Sequence, residues 1–148
     1  MLRATFISTL FGLALAMSGA AFAQSPANSA AHVNAKHKVV LQVSDKDPQK
    51  WQLALNNAAN IQKDIGSDKV DIELVAYGPG IDMLKMDSIV AQRVHDALGA
   101  NIKVVACENT MRGHHLSKED MLPEVGYVSS GVVELMEKQE QGYAYLRP

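Results

Sequence analysis

Strand-like and helix-like segments alternate along this chain from about residue 38 to its end, and that order leaves few folds open to it. Lys38 to Ser44, Val70 to Tyr77, Asn101 to Ala106 and Val125 to Ser129 are short apolar runs rich in β-branched residues, and Tyr143 to Leu146 makes a fifth. Between them, apolar residues recur at helical spacing. Trp51, Leu55, Ala58, Ala59, Gln62 and Ile65 form one stripe, with Pro48 suited to the first helical turn and Gly66 to the stop. The spacing predicts one helix or two over 81–98, with Met86, Val90, Val94 and Leu98 on the inward stripe. Ser117 and Asp120 make a capping pattern for a short helix over 117–122. Val132, Leu135, Met136 and Gln139 give the inward side of a helix over 131–141. The alternation implies a three-layer α/β domain: a mostly parallel sheet of about five strands, flanked by helices as in flavodoxin-like architectures and joined by right-handed crossovers.

The segment ahead of this pattern is of a different kind. Met1-Leu2-Arg3 gives a short positive start, Leu10 to Met17 is a compact apolar run, and Ala21-Phe22-Ala23 is the small-x-small pattern that a signal peptidase reads. The run is shorter than the roughly 20 apolar residues of a spanning helix. Residues 1–23 are therefore expected to be a signal peptide cleaved after Ala23, residues 24–37 a flexible leader, and residues 38–148 the α/β domain. Cleavage would leave 125 of the 148 residues, with thirteen basic side chains against sixteen acidic ones. That balance is too mild to favour nucleic acid or an anionic membrane as partner. A periplasmic protein without membrane attachment is expected.

The chain has one cysteine, Cys107. Exported proteins usually carry cysteines in pairs, and here none can form within the chain. Cys107 is buried and inert, bonded to another molecule, or held reactive. Its position bears on the choice. In parallel sheets ligands sit beyond the carboxyl ends of the strands, where neighbouring crossovers diverge to opposite faces. Ser44 to Pro48, Tyr77 to Gly80 and Cys107 to His115 project from that edge. A cysteine just past a buried strand meets unpaired backbone N–H groups, which stabilise a thiolate. Accessible to solvent there, it would be the nucleophile of the site, with Glu108, Asn109, Thr110, Met111, Arg112 and His114 around it.

Other candidates are weaker. Tyr77, Gly78 and Gly80 lie in a Gly-Pro-Gly segment that could cradle an anion, but it matches neither the dinucleotide pattern nor the P-loop, and a plain strand-to-helix turn explains it. His114 and His115 are adjacent, so their side chains point apart. With Cys107 they still fall short of the ligands a zinc site needs. No metal and no cofactor is expected.

The stretch from Lys38 to Pro148 resembles the DsrE/DsrF-like family, named for sulfur-oxidation proteins. The matching marks are Tyr77-Gly78-Pro79-Gly80, then Val104-Val105-Ala106-Cys107-Glu108-Asn109-Thr110-Met111, then Ser130-Gly131-Val132-Val133-Glu134-Leu135 with Gln139-Glu140-Gln141-Gly142-Tyr143-Ala144-Tyr145. The resemblance implies a parallel sheet flanked by helices, assembly into homo-oligomers, and a cysteine, here Cys107, that accepts and passes a sulfane sulfur. Such relay proteins act in the cytoplasm with partner subunits, whereas this chain is expected to be exported. Two readings follow: an exported sulfur carrier or sulfurtransferase-like protein served by a sulfur donor or acceptor protein, and a non-catalytic oligomeric module that binds a small ligand or protein with Cys107 as packing.

Overall fold

Residues 36–148 are described by the structure, a computed structural model. The expected signal peptide, and the expected leader up to residue 35, lie outside the described residues. The five strands are β1 (His37–Val43), β2 (Val70–Ala76), β3 (Lys103–Cys107), β4 (Gly126–Val128) and β5 (Ala144–Leu146). They form one sheet in the order β4-β3-β2-β1-β5, and all its pairings are parallel. β1 starts at His37, the last residue assigned to the leader, and β3 extends to include Cys107.

Strands and helices arise where the sequence places its breaks. Helix α1 (Pro48–Ile65) opens with Asp47 as cap, whose carboxylate accepts the Gln49 N–H at 2.9 Å. It closes at Gly66, whose N–H returns to the Gln62 carbonyl. Its buried side is Trp51, Ala54, Leu55 and Ala58, and the Trp51 indole N–H is satisfied by the Asp45 carbonyl at 2.7 Å. Ala59, expected on this stripe, is exposed, and Ala54 takes the inward place. Removing Leu55 to Ala would cost about 2–5 kcal/mol, the usual range for a buried leucine.

α1 and helix α2 (Ala91–Gly99) cover one face of the sheet, where Val39, Leu41, Val43, Ile72, Leu74 and Val104 are buried. Helix α3 (Glu108–Gly113) follows β3 on that side, with Met111 in the same core. The other face carries one helix among the described residues, α4 (Gly131–Glu140). Its Leu135 packs with Val40, Val75 and Tyr143. Each step from β1 through β4 moves one place across the sheet. The step from β4 to β5 then returns over the opposite face to pair with β1. The connections leaving β3 and β4 therefore diverge, and the crevice between them is the switch point at which such sheets bind ligands.

Over 81–98, where one helix or two were expected, the structure has two separate helical segments, and the inward stripes need correction. A 3-10 segment (Gly78–Leu84) begins with Pro79 in its first turn and buries Ile81, Met83 and Leu84, and α2 starts only at Ala91. Met86 falls in the link between them and is 57% exposed. On α4 the inward residues are Gly131 and Leu135, four positions apart. Val132, Met136 and Gln139 are exposed, because the helix is rotated to bring Gly131 against the sheet edge. The expected short helix after Ser117 is a 3-10 turn (Lys118–Asp120), with Ser117 and Asp120 forming the capping box.

Gly80 ties the second crossover to the first. A Cβ on it would stand 2.4 Å from the Val43 carbonyl oxygen and 2.7 Å from its carbon, both main-chain atoms at the end of β1. Neither side can yield without moving a strand end. Gly80→Ala is expected to lower stability by about 1–3 kcal/mol, the range for overpacking a tight site. Chemical denaturation of the folded domain checks this, and an unchanged midpoint would show that the strand end gives way.

Candidate functional site

Cys107 is the last residue of β3 and the residue preceding α3. Side chains alternate along a strand, so Cys107 shares the face of Val105, which packs with the cluster under α4. Its sulfur therefore points toward α4 although its own chain continues into α3 on the other face. The Gly131 N–H, the first amide of α4, donates to Cys107 Sγ at 3.2 Å in a buried contact. α3 meets the same point from the opposite side: the Asn109 N–H donates to the Ser129 carbonyl at 3.2 Å, fastening the start of α3 to the end of β4.

Gly131 is required by space. A Cβ there would lie 2.9 Å from Cβ of Tyr77 and 3.2 Å from its ring. Tyr77, half-buried at the end of β2, thus packs directly on the first turn of α4. Its neighbour Gly78 donates its N–H to Thr110 Oγ1 at 2.9 Å. That bond occupies an acceptor position on the hydroxyl and leaves its proton free to turn to the sulfur.

These donors set the ionisation of the thiol. Burial pushes the Cys107 pKa up. The Thr110 hydroxyl, the Gly131 N–H and the N–H groups of Thr110 and Asn109 together outweigh it, so the thiol ionises below its ordinary value. Only the Gly131 contact has full hydrogen-bond geometry; neither α3 amide is aligned as a cap on the sulfur. The sulfur belongs to a residue 4% exposed, which corrects the expectation of a solvent-accessible thiol. The strand runs to Cys107 itself, and the first turn of α4 lies over it.

The remaining sequence candidates divide sharply. Tyr77, Gly78, Asn109 and Thr110 build the walls and donors around Cys107. Gly80 serves the junction with β1. Met111 is buried in the core beneath α3. Glu108 faces Lys118 at 3.8 Å, and the Lys118 ammonium lies 4.5 Å from the centre of the Tyr127 ring. Arg112 is exposed and its guanidinium engages the Asn109 carboxamide oxygen rather than the sulfur. His114 and His115 are exposed at the end of α3. Among the described residues no three His, Cys, Asp or Glu side chains gather as metal ligands would. Sequence reasoning missed Gly131 as a donor. The signal was there: a Ser-Gly pair between a short strand and an amphipathic stripe marks a helix start at the sheet's carboxyl edge.

Fold and site together define an α/β protein with a single thiol at the switch point of a parallel sheet, facing two helix starts. The chain belongs to the DsrE/DsrF-like family, whose model matches residues 36–148. It is similar over 76% of its length to all of the protein of unknown function MTH1491 from Methanobacterium thermoautotrophicum, at 34% identity and a TM-score of 0.73. The conserved protein of unknown function BT1422 from Bacteroides thetaiotaomicron (16% identity, TM-score 0.62, 75% of this chain and 94% of that one) shares the fold. So does the ychN protein from E. coli (15% identity, TM-score 0.58, 77% and 99%). No protein of curated function is detectably similar in sequence.

Alkylation by iodoacetamide followed across pH should give Cys107 a midpoint below that of a free thiol, because the depressed pKa keeps the thiolate present at lower pH. Thr110→Val should move the midpoint up and slow alkylation at neutral pH by roughly three- to tenfold, the net loss of one ordinary hydrogen bond being worth about 1 kcal/mol. Thr110→Ser should restore it. A wild-type midpoint at or above the free-thiol value would contradict the donor assignment.

Proposed function

We propose that this protein is an exported sulfur carrier in which Cys107 holds a sulfane sulfur as a persulfide. The observation that carries the reading is the Gly131 N–H donated to a buried sulfur at the switch point, with the Thr110 hydroxyl beside it free to donate as well. In the loading step the Cys107 thiolate attacks the outer sulfur of a donor persulfide, R–S–SH. A new S–S bond forms, the donor's S–S bond breaks, and R–S⁻ leaves while the proton stays on the transferred sulfur. In the unloading step an acceptor thiolate attacks that outer sulfur and Cys107 departs as a thiolate. No net oxidation occurs in either step. Low thiol pKa serves both, since the attacking species is the thiolate and the leaving group is the same thiolate. Residues 1–23 support export to the periplasm, where the donor and acceptor would be met.

The reading extends to assembly. α4 covers β1 and β2, but Val105 on β3 and Gly126 and Val128 on β4 are only half-buried on that face. A cleft of about 360 Å³ opens at the amino-terminal end of β3, lined on that face by Lys103, Val105 and Gly126 and from the other side by Leu98, Ile102 and Val104. Parallel sheets are ordinarily covered on both faces. A second copy of the chain laid over this face, and against the exposed Val132, Val133 and Met136 of α4, would supply the cover.

The rival reading, a binding module in which Cys107 only packs, is favoured by one observation: the 4% exposure of that residue. Intact mass after treatment with a low-molecular-weight persulfide separates the two. The carrier gains the mass of one sulfur atom, loses it to a reducing thiol, and gains nothing as Cys107→Ser. A wild-type protein that takes up no sulfur, or a serine variant that takes up as much, would end the carrier proposal. Protein recovered from its own compartment should begin at Gln24 and carry the same added mass.

A further inference from the structure

α4 is attached to the sheet at three points spaced along one side: Gly131 at Cys107, Leu135 among Val40 and Val75, and Lys138 at Glu73. The third attachment is unusual chemistry for its place. Glu73 lies in the middle of β2, 3% exposed, beside the apolar cluster. Its Oε2 accepts from the Lys138 ammonium at 2.5 Å, and Glu134, one turn earlier on α4, stands 3.5 Å from the same ammonium. The Tyr143 ring packs under Lys138, 4.9 Å from ammonium to ring centre, and its hydroxyl donates to Asp71 at 2.6 Å. Glu73 Oε1 is fully buried and has no hydrogen-bond partner.

Such an arrangement is a poor way to gain stability. Taking a carboxylate and an ammonium out of water is costly for each, and their attraction repays this only when the remaining lone pairs are satisfied. Here one oxygen is not. Burial accordingly pushes the Glu73 carboxyl above its usual range, with Glu134 adding to the rise against the pull of Lys138. Burial pulls the Lys138 pKa down, but Glu73, Tyr143 and Glu134 hold it above its ordinary value, so it remains charged. A leucine and a methionine would fill the same space at no electrostatic cost. What the ion pair supplies that they would not is direction: a short charged contact fixes where Lys138 sits along and around α4, whereas apolar packing tolerates sliding.

We propose that Glu73 and Lys138 are positioning residues for Cys107: their pair fixes the rotation and the axial setting of α4, and so holds the Gly131 amide on the sulfur. Two turns of rigid helix separate the two contacts, so a shift at Lys138 is passed on to Gly131. Tyr77 limits the motion on one side, since it touches Gly131 directly. The inference rests on the reading of Cys107 as a stabilised thiolate, but not on sulfur transfer.

The test is the double variant Glu73→Leu/Lys138→Met. It removes one charge of each sign, so the net charge is unchanged and a change at the thiol reports position rather than field. Thermal unfolding should show stability equal to or above that of the wild type. The alkylation midpoint of Cys107 should move up and the rate at neutral pH should fall roughly three- to tenfold, the influence a helix N-terminus exerts on a neighbouring charge. Lys138→Arg, which keeps the charged contact, should stay within about twofold of the wild type. A folded double variant whose thiol titrates as the wild type does would overturn the proposal while leaving persulfide loading intact. If Lys138→Arg is as impaired as the double variant, the charged contact is not what positions α4 and the proposal also fails. A wild type whose thiol shows the low midpoint, shifted up in the double variant, but which takes up no sulfur would instead count against the carrier reading alone.

Discussion

The buried hydrogen bond from the Gly131 N–H to Cys107 Sγ joins two parts of the chain that the topology sends apart. β3 continues into α3 on one face and β4 into α4 on the other, so the sheet opens between them. A cysteine at the end of β3 that pointed toward α3 would be one more apolar core side chain. Strand alternation points it the other way, into the crevice and under the first amide of α4. A sulfur is a weak acceptor when neutral and a strong one when ionised, so the contact is worth more to the thiolate than to the thiol. The same bond therefore locates the helix and biases the proton. The Asn109 contact to Ser129 closes the crevice from the opposite side.

The small residues at this edge are consequences of that closeness. Gly131 must lack a side chain for α4 to approach over Tyr77, and Gly80 must lack one for the second crossover to clear the end of β1. Tyr77 lies between these two junctions. It follows β2 directly, packs on α4, and precedes the Gly78 amide that holds Thr110. The Gly-Pro-Gly segment thus acts through its backbone on the residue beside the sulfur, with no need of a bound anion to explain it.

Much of this was legible in the sequence, and the limits have physical causes. The strand runs, the Pro48 start and Gly66 stop of α1, and the Ser117–Asp120 box are local signals, and each appears where propensity and capping place it. The parallel order followed from the alternation of strand and helix. Periodicity misled where one helix had two apolar stripes to offer. On α4, Val132 and Met136 are as hydrophobic as Leu135, and the choice between them was made by a contact 24 residues away in sequence, Gly131 at Cys107. In the 81–98 segment the apolar residues fit a 3-10 turn as well as an α-helix, and the turn is set by Pro79 and by the close contact at Gly80. Cys107 itself was placed correctly at the strand end, but its burial was only one of the alternatives open there, because burial depends on which face α4 occupies.

That face also explains why an ill-satisfied ion pair is tolerable in so small a domain. The other side of the sheet has the eighteen-residue α1, with α2 and α3, and most of the core, and needs no polar contact to define it. The α4 side has a small cluster of Val40, Val75, Leu135 and Tyr143, too few interlocking shapes to fix a ten-residue helix against sliding. Packing specifies position in proportion to how many side chains interlock. Where few do, a charged contact with a narrow range of acceptable geometry becomes the more economical way to define a register. On this argument the cost at Glu73 belongs with the sulfur at the far end of the same helix. The thin apolar layer that leaves Val105, Gly126 and Val128 half-buried is the same thinness that calls for a charged contact at Lys138.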